Sequence, residues 1–222
     1  IVYYDRLVSD DILSLIRRDA DRVPVGKSKG DHSVPQETIH ELLIASAREG
    51  KRVVRLKGGD PFIFGRGGEE LEAVRAAGVA ATVVPGISSA LGCAAAAGLP
   101  LTHRDHAQSL TFVTGHAKEG GVPDLDWVSL ARPAQTVVVF MGVGTAATIA
   151  EKIIQAGRAP STPVAVIENG TRDNEIRVFG TLSELPHLIQ RAGIKGPALL
   201  VIGEVAALPE EAIARAFKEH VA

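Results

Sequence analysis

Two hydrophobic rhythms alternate along the chain. Short apolar runs, "IVYY", "RVPV", "RVVRLK" and "ATVVPG", are bounded by Gly, Pro or Asp and predict strands. Between them the apolar positions recur every three to four residues, which predicts helices. "SDDILSLIRRD" has Ser9 as N-cap and acids in its first turn. "SVPQETIHELLIASAREG" carries Ser33 and Gln36 as a capping box, Pro35 inside the first turn and Gly50 as its stop. "GGEELEAVRAAG" and the small-residue run "ISSALGCAAAAG" complete the helices of the first half.

The second half repeats the scheme. "SLTFVTG", "TVVVFMG", "PVAVIENG", "EIRVFG" and "ALLVIGEV" predict strands; "TAATIAEKIIQAG" and "TLSELPHLIQRAG" predict helices, the latter with a Thr181/Glu184 capping box. Apolar strands separated by helices imply largely parallel, buried sheets. "EIRVFG" alternates in polarity and runs straight into a helix, so it reads as an edge or antiparallel strand. Four strands before about residue 107 and five after it predict two α/β domains, residues 1–106 and 107–222, with a cleft between them. "HAKEGGVPDLD" is expected to be a loop of the second.

Composition narrows the classes. The 222 residues are 45% hydrophobic and 23% charged with a formal charge of −2, which gives no electrostatic sign of nucleic-acid binding. No apolar run has the length of a membrane span and no signal peptide is visible, so a cytoplasmic location is expected. Cys93, the one cysteine, reads as a buried small residue in a reducing compartment. The chain opens without Met, as a strand already under way.

The chemistry concentrates in "RLKGGDPFIFGRGGEE". Its glycines allow positive φ and close approach of a ligand to main-chain groups. The GxxxxGK[ST] of a phosphate loop is absent, so a GGDP turn at a strand end suits a nucleoside or an amino-acid moiety better than a phosphate. The connection runs nine residues, from Gly58 to Arg66, longer than the usual two to six. A rival signal is "FMGVGTAATI", a GxGxxA after a strand, with Glu168 near the end of the next strand where a ribose-binding acid would sit. It offers a nucleotide-dependent oxidoreductase as the alternative. His103, His106 and His116 match no metal-ligand spacing and read as surface or substrate-contacting residues, so no metal is expected. Basic side chains, among them Arg6, Lys27, Lys29, Arg55, Lys57 and Arg66, flank the glycine turns at strand ends, which fits a small polyanionic substrate.

"VVRLKGGDPFIFGRGGEE", with "YDRLVS", "VGKSKGDHSVPQ", "VVPGISSALGCAAAAGLPLTHR" and "ENGT", resembles the uroporphyrinogen-III C-methyltransferases of the tetrapyrrole methylase family over essentially the whole chain. The resemblance implies two α/β domains with a cofactor folded between them, a homodimer, and S-adenosylmethionine as methyl donor with S-adenosylhomocysteine as product. It implies methylation of two pyrrole rings of uroporphyrinogen III to precorrin-2, the branch point toward sirohaem and cobalamin. A methylase of a later corrin step is a second alternative. In the longer sirohaem synthases this unit is the C-terminal part. The family opens with a strand and a GxGPGDP turn, and the chain is expected to lack both. By the same match the cofactor contacts fall on Gly58, Gly59, Asp60, Ile63, Ser88, Ser89, Met141, Gly170 and Ala198. Asp5 resembles the proton acceptor and Lys27 the donor; Arg66, with Arg6 and Lys29, is assigned to substrate carboxylates.

Overall fold

The chain divides into two compact units, Ile1–Ser89 and Ala90–Ala222; the computed structural model describes residues 1–26 and 34–209. The division falls at the first residue of a helix that the sequence pattern placed inside the first domain.

In the first unit, strands β1 (Val2–Tyr4), β2 (Arg22–Pro24) and β3 (Val54–Leu56) form a parallel sheet in the order β2-β1-β3. Tyr4 lies opposite Pro24 on one side and Leu56 on the other, so all three strands end at one edge. That edge delivers Asp5, Val25 and Lys57 side by side. Helices α1 (Asp10–Ser14), α2 (Gln36–Arg48) and α3 (Gly67–Ala76) accompany the sheet. Tyr3, Val25, Ile39, Leu43 and Val74 make the core, and the Tyr3 hydroxyl shares a 2.8 Å bond with Ser46 Oγ inside it.

Local signals hold at several ends. The Ser9 hydroxyl accepts from Ile12 N at the start of α1, and Gly50 ends α2 with φ 78°. Helix α1 is shorter than its pattern because the Ser14 hydroxyl bonds back to Asp11 O at 2.6 Å, while Leu15 is 77% exposed and has no surface to cover. Ser33 lies outside the described residues, and Gln36 turns its amide to His40 and Glu70.

The run at 81–86 forms no strand, so the first half holds three described strands where four were expected. Val84 is 81% exposed. An extended segment becomes a strand only against a ladder partner, and none lies beside it among the described residues.

In the second unit, β4 (Ser109–Thr114), β5 (Gln135–Phe140), β6 (Pro163–Glu168), β7 (Ile176–Thr181) and β8 (Ala198–Ile202) form a sheet in the order β4-β5-β8-β6-β7. β4, β5 and β6 point one way; β8 runs against them between β5 and β6, and β7 is an antiparallel edge, in line with its alternating sequence. The reversal of β8 has no signature in "ALLVI", because a strand covered on both faces is apolar whichever way it runs. Helices α4 (Ser89–Ala96), α6 (Ala146–Gln155) and α7 (Leu185–Arg191) match the pattern. A short helix, α5 (Trp127–Leu130), follows the expected loop, with Asp126 accepting from Ser129 N at 3.0 Å. Every residue of β5 is buried, and Val137, Val139, Ile149, Ile153, Val164 and Leu200 centre the core.

Candidate active site

The Gly-rich connection from β3 to α3 is clasped by its own carboxylate. Asp60 Oδ1 accepts from Phe62 N at 2.9 Å and Oδ2 from Gly86 N at 3.0 Å. The GGDP turn is thereby fixed to the PGISS turn. A Cβ on Gly86 would overlap the Gly59 carbonyl oxygen, and a Cβ on Gly59 would come within 3.4 Å of Ser89 N. Gly59 itself has φ 75°, and the non-glycine residues Phe64 and Arg66 hold φ 51° and 57°. Such left-handed residues persist only where the surroundings over-determine them. Here Gly67 N donates to Pro61 O at 2.9 Å, and a Cβ on Gly65 would also meet Pro61 O. Ile63 N donates to Asp60 O, Ser88 is buried, and Ser89 opens α4. Among the expected cofactor contacts, Asp60 is therefore a clasp, and Gly58 and Gly59 present main chain. These close glycine approaches pack the turns against one another and leave no room for a side chain at Gly65, Gly67 or Gly86.

Beside this turn stands Asp5. A Cβ on Gly58 would lie 3.3 Å from Leu7 Cβ, so the segment after β1 runs along the turn. Both Asp5 oxygens have a cation: Oδ1 pairs with Arg55 Nη2, and Oδ2 lies 3.3 Å from Lys57 Nζ. The side chains of Arg55 and Lys57 are only 12% and 8% exposed. The two cations that the sequence pattern offered to substrate carboxylates are instead internal partners. Each Asp5 oxygen keeps a lone-pair direction free of these pairs.

Other expected residues are placed less uniformly. Arg6 is exposed and, with Tyr4, Asp5, Val8, Pro24 and Gly26, lines a hollow of about 220 Å³ at the sheet edge. A larger hollow of about 650 Å³, among Ile12, Leu15, Ile16 and Val54, contains none of the candidate residues, and we do not assign it to the site. Arg66 is exposed and held by Glu69, with Nε–Oε1 at 3.0 Å and Nη2–Oε2 at 2.5 Å; that hydrogen bond raises its already high pKa. Lys27 and Lys29 lie outside the described residues.

In the second unit the sheet gathers the remaining three. The register sets Phe140 opposite Leu199 and Glu168 opposite Ala198, so Met141, Ala198 and the turn at Gly170 share one edge. Met141 is 53% exposed with φ 56°. Gly142 backs onto Gly115, whose carbonyl accepts from Thr145 Oγ1 at 2.6 Å. Glu168 is not available to a ribose: it is buried, and its Oε1 accepts from Lys195 N and Gly196 N, each at 2.6 Å. Cys93 is buried against Gly170, where a Cβ would overlap its sulfur, and burial pushes its thiol pKa up, the condition of an inert packing residue. His103 and His106 stack at 4.7 Å, and no group of metal-ligating side chains gathers among the described residues. No described helix is long and apolar enough to cross a membrane.

One parallel sheet edge thus carries a glycine turn clasped by Asp60 and, beside it, a carboxylate held by two cations. The chain belongs to the tetrapyrrole (corrin/porphyrin) methylases, whose family model matches residues 1–186. It is 55% identical to a siroheme synthase of Chromobacterium violaceum over 211 residues, which are 95% of this chain and 45% of that protein. A siroheme synthase of Salmonella typhi is 57% identical over the same shares. The chain thus spans a little under half the length of these relatives. Among solved structures, uroporphyrin-III C-methyl transferase of Thermus thermophilus complexed with S-adenosyl homocysteine is 41% identical, with a TM-score of 0.78 over 93% of this chain and 86% of that one. A cobalt precorrin-4 methyltransferase is 28% identical, with a TM-score of 0.79 over 92% and 84%.

Proposed function

We propose that this chain methylates two pyrrole-ring carbons of uroporphyrinogen III, giving precorrin-2. The observation that carries this is the clasped GGDP turn standing beside Asp5 at one sheet edge, in a member of the tetrapyrrole methylases. S-adenosylmethionine, when bound, supplies a methyl group on a sulfonium, and leaves as S-adenosylhomocysteine. Gly58 and Gly59 would hold it by main chain next to Ile63, Ser88 and Ser89; Met141, Gly170 and Ala198 are the further contacts that the family resemblance assigns. Positioning and exclusion of water account for most of such a displacement.

The methylated ring is cationic until it loses a proton. Asp5 takes that proton: the C–H bond breaks, its electron pair returns to the ring, and an O–H bond forms on a carboxylate oxygen. Arg55 and Lys57 keep both oxygens in place while this happens. Lys27 would exchange a proton with the macrocycle, recovering from one position the proton it gives at another, so that one proton is lost for each methyl group added. Arg66, whose pair with Glu69 is solvent-exposed, meets substrate carboxylates with Arg6 and Lys29, because a guanidinium grips a carboxylate bidentately. A homodimer in the cytoplasm, serving sirohaem and cobalamin formation, completes the proposal.

Calorimetry separates this from the oxidoreductase alternative. S-adenosylhomocysteine binds and NAD does not; the reverse would overturn the methylase assignment. A later corrin methylase is set apart by substrate, since methyl transfer to uroporphyrinogen III is expected and transfer only to an already methylated corrinoid would replace it.

A further inference from the structure

We infer that Glu70 is a positioning residue for Asp5, acting through Arg55 and Lys57; this rests on the reading of Asp5 as proton acceptor. Glu70 stands in the first turn of α3 with its side chain 7% exposed, and it does not line the hollow beside Asp5. Its Oε1 accepts from Arg55 Nε at 3.1 Å, Lys57 Nζ at 3.2 Å and Gln36 Nε2 at 3.1 Å. Gln36 is steadied in turn by His40 at 3.2 Å.

The arginine is held at every corner. Nε goes to Glu70, Nη1 to the carbonyls of Leu56 at 3.0 Å and Tyr3 at 3.4 Å, and Nη2 to Asp5. A guanidinium is a rigid planar fork, so fixing Nε and Nη1 leaves Nη2 a single direction, which is the Asp5 oxygen. Lys57 has a flexible stem, and its ammonium is centred by Glu70 on one side and Asp5 on the other. Two anions and two cations close this cluster. Without the Glu70 charge, two nearly buried cations would share one carboxylate, the most exposed member at 27%. They would crowd it or swing away, and either movement displaces the oxygen that receives the proton.

The sequence adds a coupling. Glu70 lies four positions after Arg66, the N-cap of α3, at the end of the clasped turn. The turn that presents main chain to the methyl donor therefore also sets where Glu70 stands, and Glu70 sets Asp5. A ligand-dependent adjustment of the turn would reach the proton acceptor through two ion pairs.

A double-mutant cycle in the full chain tests this. Glu70→Gln is expected to lower kcat by about tenfold or more while KM for the tetrapyrrole and S-adenosylhomocysteine affinity stay within about twofold. Added to Asp5→Asn, Glu70→Gln should cost less than about twofold more, because its effect runs through the group already removed. Glu70→Asp keeps the charge and withdraws it by one methylene, and should also lower kcat. If Glu70→Gln does not fold, Glu70→Gln with Lys57→Met removes one charge of each sign, and should fold with low turnover that is insensitive to Asp5→Asn. An unchanged kcat in Glu70→Gln, or independent multiplication of the two effects, would overturn the role of Glu70 alone. Asp5→Asn within about threefold of the parent would instead overturn the reading of Asp5, and this inference with it.

Discussion

Asp5 and Glu70 share the same two cations, but the Asp5 side chain is 27% exposed and lines a hollow, whereas that of Glu70 is 7% exposed. Asp5→Asn keeps shape and removes the base, so turnover should fall by about 10²-fold with S-adenosylhomocysteine binding intact, as read by steady-state rates and calorimetry. Lys27→Met should act in the same direction and less steeply. Arg66 presents the opposite case, a cation on an exposed pair worth about 0–1 kcal/mol. A substrate carboxylate can displace Glu69 at that cost. Arg66→Ala should therefore raise KM for the tetrapyrrole with donor affinity unchanged, whereas Glu69→Gln should leave KM level or lower it; kinetics on both variants decides. At this scale the sequence was partly legible. Asp5 stood out as an acid ending a strand, and Gly58 and Gly59 as turn residues. Glu70 did not, because Glu69 and Glu70 are alike in "GGEE", and only the packing turns one outward and buries the other.

Turns and helix ends carry the next level. Gly86 and Gly59 meet backbone to backbone, and backbone cannot yield as a flexible side chain can. Gly86→Ala should push the GGDP and PGISS turns apart and weaken S-adenosylhomocysteine binding by about tenfold or more, a loss of about 1.4 kcal/mol. Gly68, with open space about it in the first turn of α3, provides the contrast. Gly68→Ala should stabilise the fold by about 0.4–1 kcal/mol and leave affinity alone, because it only reduces the freedom of the unfolded chain. The Thr181/Glu184 capping box gives a pH signature. Bonds from Thr181 hold the Glu184 carboxyl below its ordinary range. A carboxylate depressed in the folded state stabilises fully above its unfolded pKa and loses that contribution as pH falls through the folded value. The denaturant midpoint of Thr181→Ala should thus lie below that of the parent at neutral pH, and the gap should narrow on acidification.

The molecule as a whole is two compact units, each built on its own sheet. If S-adenosylhomocysteine binds the native chain and not the unfolded one, a concentration about a hundredfold above its Kd adds about 2.7 kcal/mol of stability. A thermal shift should show this, and NAD at equal concentration should give none; equal shifts from both would revive the oxidoreductase reading.

What the sequence determined by itself is what local chemistry encodes. Apolar runs and three-to-four-residue spacing placed nearly every strand and helix, because side-chain burial sets those periods. Ser9, Gly50 and the Thr181/Glu184 pair marked element ends, because caps satisfy backbone groups within a few residues. The tertiary structure alone decided matters that depend on distant partners. It reversed β8, since direction leaves no mark on a strand buried on both faces. It left 81–86 without a ladder. It drew Arg55 and Lys57 inward to Asp5 and Glu70, and occupied Glu168 with two backbone amides. Each of these is an interaction between residues far apart in the chain, and periodicity carries no information about which of them will meet.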